Sequence, residues 1–181
     1  MKIIIPLANG CEEIEAITNI DVLRRAGVEV ETISLKGLEV KGAHNIIIKA
    51  DKKIDELNIE EVGGIILPGG MPGAANLRDD KRIINIVQKL DQKNGLIAAI
   101  CAAPIVLEAA GVIKDRPATS YPGFGQEMES CTYLQDRVVV DDNLITGRGP
   151  GVALEFALKI VELLVNKEKA EEIKAEMISN F

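Results

Sequence analysis

Cys101 stands where an uncharged apolar stretch gives way to a helical pattern. Residues 95–100 contain only Gly, Leu, Ile and Ala, which is typical of a strand buried on both faces of a parallel sheet. Pro104 suits the first turn of the helix that follows. A helix N-terminus favours a thiolate, and its free N–H groups bind a developing oxyanion. We therefore predict that Cys101 is a nucleophile; the alternative is an inert core cysteine among small apolar residues.

A glycine-rich loop, Pro68–Gly73, follows a second apolar stretch at residues 64–67. Its glycines, Gly69 and Gly70, offer a backbone N–H that could converge with the N–H of Ala102 on one oxygen atom, as in an oxyanion hole. The alternative is a tight turn that needs positive φ angles, which glycine adopts equally well. The loop is thus a candidate partner for the thiol.

Three acidic residues, Glu12, Glu13 and Glu15, begin the first predicted helix. Acidic side chains in a first turn complement the helix macrodipole, and this is the role expected of Glu12 and Glu13. Glu15 lies between the apolar residues Ile14 and Ala16 and could point inward to hydrogen-bond the thiol. Burial would raise the pKa of its carboxyl and keep it protonated, as a donor and proton shuttle.

The single histidine and the other two cysteines are not expected to be catalytic. His44 lies in a predicted hairpin, far in sequence from the other candidates, so a Cys–His pair is not expected. Cys11 is interpreted as a packed residue, with a second redox thiol as the alternative, and Cys131 is expected to be exposed. Scattered cysteines provide neither a disulfide framework nor the spacing of a zinc site, so no metal is predicted.

Composition limits the class of protein. A chain of 181 residues with 47% hydrophobic content suits one domain, 1–181. A net charge of −7 and 3% aromatic residues disfavour nucleic-acid binding, which needs a basic face and stacking platforms. No apolar run is long enough to span a membrane, and the apolar N-terminal stretch is too short for a signal peptide. We expect a cytoplasmic protein with reduced thiols.

Strand and helix patterns alternate along the chain. Strands at 2–7 and 28–35 flank a helix over 12–26, which makes a right-handed parallel βαβ unit. The later predicted elements are a hairpin within 37–48, a weak helix over 51–61, helices over 79–93 and 103–110, a short strand at 117–119, a short helix over 124–130, a hairpin over 137–146, and helices over 152–165 and 168–178. This order predicts a three-layer α/β sandwich with a mostly parallel central sheet.

The three candidate segments each follow a predicted parallel strand. They are residues 10–15, Pro68–Gly73 and Cys101. Sites in open α/β sheets form at the carboxyl ends of the strands. We expect these segments to meet at one edge of the sheet.

Four motifs in the same order resemble the DJ-one/ThiJ/PfpI superfamily, specifically its parkinsonism-associated branch, over nearly the whole chain. The motifs are Glu12-Glu13-Ile14-Glu15, Leu67-Pro68-Gly69-Gly70, Ala98-Ala99-Ile100-Cys101-Ala102, and Arg148-Gly149-Pro150-Gly151 with Glu155-Phe156-Ala157. The resemblance implies a flavodoxin-like homodimer with a nucleophile elbow at Cys101, an acidic partner at Glu15 and oxyanion donors at Gly70 and Ala102. It also implies that Arg24 and Arg25 lie near the dimer contact.

The activity implied by this resemblance is that of a cofactor-independent, cysteine-dependent glyoxalase or deglycase acting on small reactive carbonyls such as methylglyoxal. The alternatives are an oxidative-stress sensor or redox-regulated chaperone that uses oxidation of Cys101, and a small hydrolase with another substrate. Many relatives have a histidine before proline where this chain has Tyr121-Pro122. A tyrosine can donate a hydrogen bond but is a poor base at neutral pH. Ala102 replaces the histidine of the protease-like branch, which disfavours peptidase activity.

Overall fold

A computed structural model describes residues 2–180. The prediction of one domain over 1–181 includes Met1 and Phe181, which lie outside the described residues. The strands are β1 (Lys2–Leu7), β2 (Glu29–Ser34), β3 (Glu39–Lys41), β4 (Ile47–Lys49), β5 (Lys52–Lys53), β6 (Val62–Leu67), β7 (Leu96–Ile100), β8 (Pro117–Ala118), β9 (Thr132–Tyr133), β10 (Val138–Asp141) and β11 (Leu144–Gly147). The α-helices are α1 (Glu13–Arg25), α2 (Gly73–Asp79), α3 (Lys81–Gln92), α4 (Pro104–Ala110), α5 (Ala153–Leu164) and α6 (Lys167–Glu176).

A seven-stranded sheet forms the middle layer, in the order β10-β11-β7-β6-β1-β2-β5. Its strand pairs are parallel except the edge pair of β10 with β11. Helices α1, α5 and α6 cover one face, and α2, α3 and α4 cover the other. The predicted three-layer α/β architecture with a mostly parallel sheet is confirmed.

The apolar strands are continuous because both faces of the sheet are covered. Along β1, Ile3 and Ile5 contact the α1, α5 and α6 side, whereas Ile4 contacts the α2, α3 and α4 side. In β7, Ala98 and Ala99 divide between the two sides in the same way. A strand that alternates its side chains between two apolar layers needs no polar residue.

Two segments differ from the sequence-based prediction. The weak helix predicted over 51–61 is wrong: the segment forms β5 and two 3₁₀ turns, Ile54–Glu56 and Ile59–Glu61. The Asp51 carboxylate, which would begin that helix, accepts hydrogen bonds from the backbone and side chain of Thr32, and this ties the segment to the sheet edge. The prediction also missed α2. The loop there ends at Pro72, and Asp80 then ends α2 and caps α3.

The short helix predicted over 124–130 is a 3₁₀ turn, Phe124–Glu127, and the other predicted elements agree with the structure. The first hairpin forms as β3 and β4, which pair outside the central sheet, and the second forms as β10 and β11. Within the described part of the chain, no helix is both long and apolar enough to cross a membrane.

Candidate functional site

The carboxyl ends of four adjacent strands meet at one edge of the sheet. Strands β11, β7, β6 and β1 are successive neighbours. Cys101 directly follows β7, the Gly69-Gly70 loop follows β6, and α1 with Glu15 follows β1. The structure thus brings the three candidate segments together, as expected of an open α/β sheet.

Cys101 occupies a sharp turn between β7 and α4. Its φ angle is +65°, a conformation that residues other than glycine rarely adopt. Two backbone hydrogen bonds hold the turn: the Cys101 N–H donates to the Gly147 carbonyl at 2.9 Å, and the Cys101 carbonyl accepts from the Tyr121 N–H at 2.8 Å. The residue is only 9% exposed, so the turn holds the thiol largely out of solvent. This geometry is that of a nucleophile elbow.

Glu15 is fully buried beside this turn. Its Oε2 accepts the Gly69 N–H at 2.7 Å, and its Oε1 has no regular hydrogen-bond partner among the described residues. A Cβ on Gly69 would lie 2.7 Å from Cys101 Cβ and 2.8 Å from Glu15 Oε2, so only glycine fits between the thiol and the carboxyl. Burial raises the pKa of Glu15 from 4.5 to about 7, against the opposing effects of Gly69 and the thiol.

The Cys101 thiol and the Glu15 carboxyl form a coupled pair. Burial, the negative charge of Glu15 and its hydrogen bond raise the pKa of Cys101 to about 12, and the N–H groups of Gly70 and Ala102 oppose this. The direction is opposite to that expected from a helix N-terminus alone, because burial and the carboxylate outweigh it. When Glu15 holds the proton, its charge is gone and it can donate to the sulfur. The thiolate therefore depends on a protonated Glu15.

The N–H groups of Gly70 and Ala102 both face the Cys101 sulfur. Gly70 has a φ of +83°, and a Cβ there would lie 2.3 Å from the backbone nitrogen of Glu12. Residue 70 must therefore be glycine for the loop to sit against the start of α1. The loop is both a tight turn and a source of an oxyanion donor, because the turn directs the Gly70 N–H toward the sulfur. The pair can stabilise negative charge on the sulfur or on an oxygen bonded to the carbon it attacks.

Tyr121 is anchored at the site by its backbone. Its N–H binds the Cys101 carbonyl, whereas the residue is 46% exposed and its ring lies against Gly149. The Tyr121 phenol was predicted to be able to donate a hydrogen bond, but it donates none to the Cys101 thiol in this arrangement. Tyr121 instead borders a cleft whose lining also includes Arg137 and Arg148.

Glu13 has a structural role that the sequence analysis missed. It is 4% exposed, although a first-turn carboxylate that only complements the macrodipole would be solvated. Its carboxylate accepts the His44 N–H at 2.8 Å, the Ile46 N–H at 3.3 Å and a contact from His44 Nδ1 at 2.9 Å. Glu13 thus ties the hairpin tip to α1, and a Cβ on Gly42 would overlap it. Gly42 was therefore the sequence feature that could have indicated this contact.

The remaining candidates occupy other places. His44 is directed at Glu13 and Glu12, and ligand atoms of these three residues lie within 4.8 Å of one another, so they are the group that could hold a metal ion in the described part of the chain. Cys11 is buried, and burial raises its pKa to about 11, which is consistent with a packed residue. Cys131 is half-buried, not exposed as predicted, because its sulfur contacts the Met128 carbonyl at 3.3 Å.

The two arginines expected near a dimer contact form ion pairs within the chain. Arg24 binds the Asp51 carboxylate at 2.9 Å and the Val30 carbonyl at 3.2 Å. Arg25 binds Asp21 at 2.7 Å, one turn earlier in α1. Both side chains stay about half exposed, and their predicted position near a partner stays a prediction.

Comparison with known proteins supports the family resemblance found in the sequence. The profile of the DJ-1/PfpI family matches residues 1–163. Protein dj-1beta of Drosophila melanogaster is 42% identical over 170 residues, which cover 92% of this chain and 91% of the fly protein. The glutathione-independent glyoxalase DJR-1.2 of Caenorhabditis elegans is 39% identical over 163 residues, or 90% of this chain and 87% of the worm protein. The chain spans only 41% of the length of Arabidopsis thaliana DJ-1 homolog B, which it matches over 98% of its own length at 38% identity.

Solved structures agree with the sequence matches. The structure of oxidized Toxoplasma gondii DJ-1 superposes with a TM-score of 0.94 at 38% identity, covering 99% of both chains. The predicted flavodoxin-like fold and the resemblance are both confirmed. The chain belongs to the DJ-1/PfpI family.

Proposed function

We propose that this protein is a cysteine-dependent glyoxalase that converts 2-oxoaldehydes such as methylglyoxal to 2-hydroxy acids without a cofactor. The observation that carries the proposal is the setting of the Cys101 sulfur between the buried Glu15 carboxyl and the N–H groups of Gly70 and Ala102. A C. elegans relative named as a glutathione-independent glyoxalase supports it.

The first step is addition of the Cys101 sulfur to the aldehyde carbon of methylglyoxal. The C–S bond forms, and the carbonyl electron pair moves to oxygen, where the N–H groups of Gly70 and Ala102 bind the developing oxyanion. A proton then neutralises that oxygen. The product of this step is a hemithioacetal, so no oxidant or reductant is required.

Glu15 serves the next step as a proton carrier. The proton on the former aldehyde carbon leaves, an enediol forms, and a proton returns to the adjacent carbon to give a thioester of lactate. Water then hydrolyses the thioester, which releases lactate and the thiol. The overall reaction therefore consumes one methylglyoxal and one water and yields one lactic acid. With a pKa of about 7, the Glu15 carboxyl is close to the value at which one group both accepts and donates protons at neutral pH. The same steps of addition and hydrolysis would suit a deglycase acting on early glycation adducts.

The test is lactate formation from methylglyoxal. Wild type should form lactate, Cys101→Ala should form none, and Glu15→Gln should be reduced about 100-fold as expected for loss of a general acid–base group. Cys131→Ala is the matched control, since it removes a half-buried thiol away from the sheet edge and should retain activity. Equal activity, or equal inactivity, of wild type and Cys101→Ala would refute the proposal.

A redox-sensing function is the second candidate. The N–H donors at the sulfur, together with a protonated Glu15, would bind the oxygens of a sulfinate formed by two successive peroxide oxidations of Cys101. Peptide mass spectrometry after mild peroxide should find this oxidation at Cys101 first. Faster oxidation of Cys11 or Cys131 would count against the sensor function, and a holdase assay with oxidised protein would test the associated chaperone function.

We further propose that the protein is a homodimer. Four exposed isoleucines, Ile14, Ile17, Ile46 and Ile47, are 47–63% exposed on α1 and the neighbouring hairpin, which Glu13 joins through the Ile46 N–H. A second copy of the chain would cover this apolar surface. Sedimentation should give a dimer that the double variant Ile17→Lys, Ile47→Lys splits, whereas Ile178→Lys, at the most exposed isoleucine, should leave it intact. An intact dimer in the double variant would refute the assignment. Cytoplasmic localisation and the absence of nucleic-acid partners stay predictions.

A further inference from the structure

The peptide unit between Cys101 and Ala102 is fixed through its carbonyl. Its N–H, which belongs to Ala102, faces the Cys101 sulfur. Its carbonyl, which belongs to Cys101, accepts the Tyr121 N–H at 2.8 Å. A trans peptide unit is planar, and its N–H and its carbonyl point in opposite directions. The hydrogen bond to Tyr121 on one side therefore sets the direction of the oxyanion donor on the other side.

Tyr121 belongs to a segment, residues 119–121, that lies outside the seven-stranded sheet. The Thr119 N–H donates to Thr146 Oγ1 at 2.9 Å and so connects this segment to β11. Gly147, the next residue of β11, accepts the Cys101 N–H at 2.9 Å. Three hydrogen bonds and two short stretches of chain thus close a ring around the turn at Cys101. This elbow ring consists of residues 119–121, Cys101, Thr146 and Gly147.

The hydroxyl of Thr146 is the side-chain member of the elbow ring, and the other two hydrogen bonds join backbone groups. Thr146 and Thr119 have no exposed surface. Valine suits a buried strand position of this shape, whereas a buried hydroxyl costs free energy unless it is hydrogen-bonded. The bond from the Thr119 N–H thus accounts for a threonine at this position. Without the hydroxyl, that N–H would be buried without an acceptor, and the segment would have to move to satisfy it.

The turn at Cys101 needs an external restraint because its backbone is strained. Its φ angle is +65°, and a residue other than glycine keeps such a conformation only where the surrounding structure enforces it. If the segment with Tyr121 moved away, the peptide unit between Cys101 and Ala102 would be free to rotate. Its carbonyl would then replace its N–H beside the sulfur, and a carbonyl oxygen repels a thiolate or an oxyanion.

We propose that Thr146 is a positioning residue for the Cys101 site, because its hydroxyl anchors residues 119–121 and thereby keeps the Ala102 N–H directed at the reacting atoms. Tyr121 contributes its backbone N–H to this arrangement. For catalysis the inference rests on the proposed function, since the oxyanion is the one formed when the sulfur adds to an aldehyde. The thiolate binds the same donor, so an effect on the thiol is expected whether or not that reaction occurs.

The test is the pH profile of Cys101 alkylation by iodoacetamide, which needs no turnover. The thiolate displaces iodide, a C–S bond forms, and peptide mass spectrometry quantifies the modified cysteine. Thr146→Val should raise the apparent pKa of the thiol, because the Ala102 N–H that lowers it is lost. Alkylation at neutral pH should slow about tenfold, as expected for loss of one hydrogen bond to a charged group.

Two variants control the comparison. Thr146→Ser retains the hydroxyl and should restore the wild-type profile. Thr32→Val is the matched control, because Thr32 is another buried threonine of a central strand, 4% exposed, whose hydroxyl binds Asp51 instead. It should lose stability and keep the wild-type profile. Equal profiles in wild type and Thr146→Val would overturn the proposal, as would an equal shift in Thr32→Val or in Thr146→Ser.

Lactate formation from methylglyoxal distinguishes positioning from substrate binding. Thr146→Val should lower kcat about tenfold or more and change KM less than about twofold, because an oxyanion donor acts mainly in the transition state. A higher KM with an unchanged kcat would contradict the positioning role. A wild type that forms no lactate, together with a shifted alkylation profile in Thr146→Val, would refute the glyoxalase proposal alone.

Hydrogen exchange in the wild-type protein tests the elbow ring if Thr146→Val fails to fold. The amide protons of Thr119 and Tyr121 should exchange as slowly as that of Cys101, because the three hydrogen bonds of the ring are expected to open together. Rapid exchange at Thr119 with a protected Cys101 would overturn the proposal, since the turn would then hold its shape without the bond to Thr146.

Discussion

Replacing Glu15 by Gln should remove a pH dependence of stability that the buried carboxyl creates. The residue has no exposed surface, and burial raises its pKa from 4.5 to about 7. The folded protein therefore holds this proton more tightly than the unfolded chain does, and stability falls as pH rises through this range. The contribution is complete below pH 4.5 and is lost above about pH 7. A shift of this size corresponds to about 3 kcal/mol.

The assay is urea unfolding of wild type and Glu15→Gln from about pH 4.5 to about pH 8, a range that brackets the titration of the buried carboxyl. The wild-type free energy of unfolding minus that of the variant should fall by about 3 kcal/mol across this range. Asp51 and Asp80, whose pKa values are lowered, act in the opposite direction but are present in both proteins and cancel. A difference that stays constant, or that grows with pH, would refute the account of Glu15.

Three further outcomes are expected. Gly70→Ala should lower kcat/KM for methylglyoxal about 100-fold, because its Cβ would lie 2.3 Å from a backbone nitrogen and displace an oxyanion donor. The control is Gly27→Ala, at a residue with a φ of +76° and no neighbouring atom in contact. This variant should lose only about 1 kcal/mol of stability and keep its activity. Full activity in the first variant would contradict the oxyanion assignment. An NMR titration should place the pKa of His44 above 6.5, because Glu13 hydrogen-bonds it, and Glu13→Gln should lower it; a wild-type value at or below 6.5 would argue against this contact. In the peroxide experiment, Glu15→Gln should speed oxidation of Cys101 at neutral pH, because it removes the negative charge that raises the pKa of the thiol, and an unchanged rate would dissociate oxidation from the carboxyl.

The fold was accessible from the sequence because both faces of the sheet are covered. Runs such as residues 2–7 and 95–100 are apolar at every position except their ends, which indicates buried parallel strands directly. The segment over 51–61 was not accessible in the same way. Its conformation depends on the bonds from Thr32 to Asp51, and those partners are 19 residues apart.

The site was only partly accessible. The positions of Cys101, Gly70 and Glu15 follow from strand ends and from an acidic residue between apolar neighbours, since local pattern determines where each lies. The pKa direction of Cys101 does not follow from local pattern. The helix N-terminus is visible in the sequence, whereas the burial and the carboxylate that outweigh it arise from tertiary packing.

Glu13 and Arg148 are two residues whose environment could not be predicted from the sequence. Glu13 has the sequence context of a solvated first-turn residue, yet a hairpin about 30 residues later buries it. Arg148 lies in a motif that indicates the family, but nothing in the motif reveals that the buried Nη1 of its guanidinium has no hydrogen-bond partner within residues 2–180. Both properties depend on which segments meet in space.

The pH profile of Cys101 alkylation by iodoacetamide tests most directly the central claim, that Cys101 and Glu15 act as one proton-sharing pair. In wild type, the rate should rise through an apparent pKa near 7, the value of the Glu15 carboxyl, because loss of one proton from the pair allows a thiolate beside a protonated acid. In Glu15→Gln, the inflection near 7 should disappear. Identical profiles in the two proteins, or a wild-type profile without an inflection near 7, would contradict the claim.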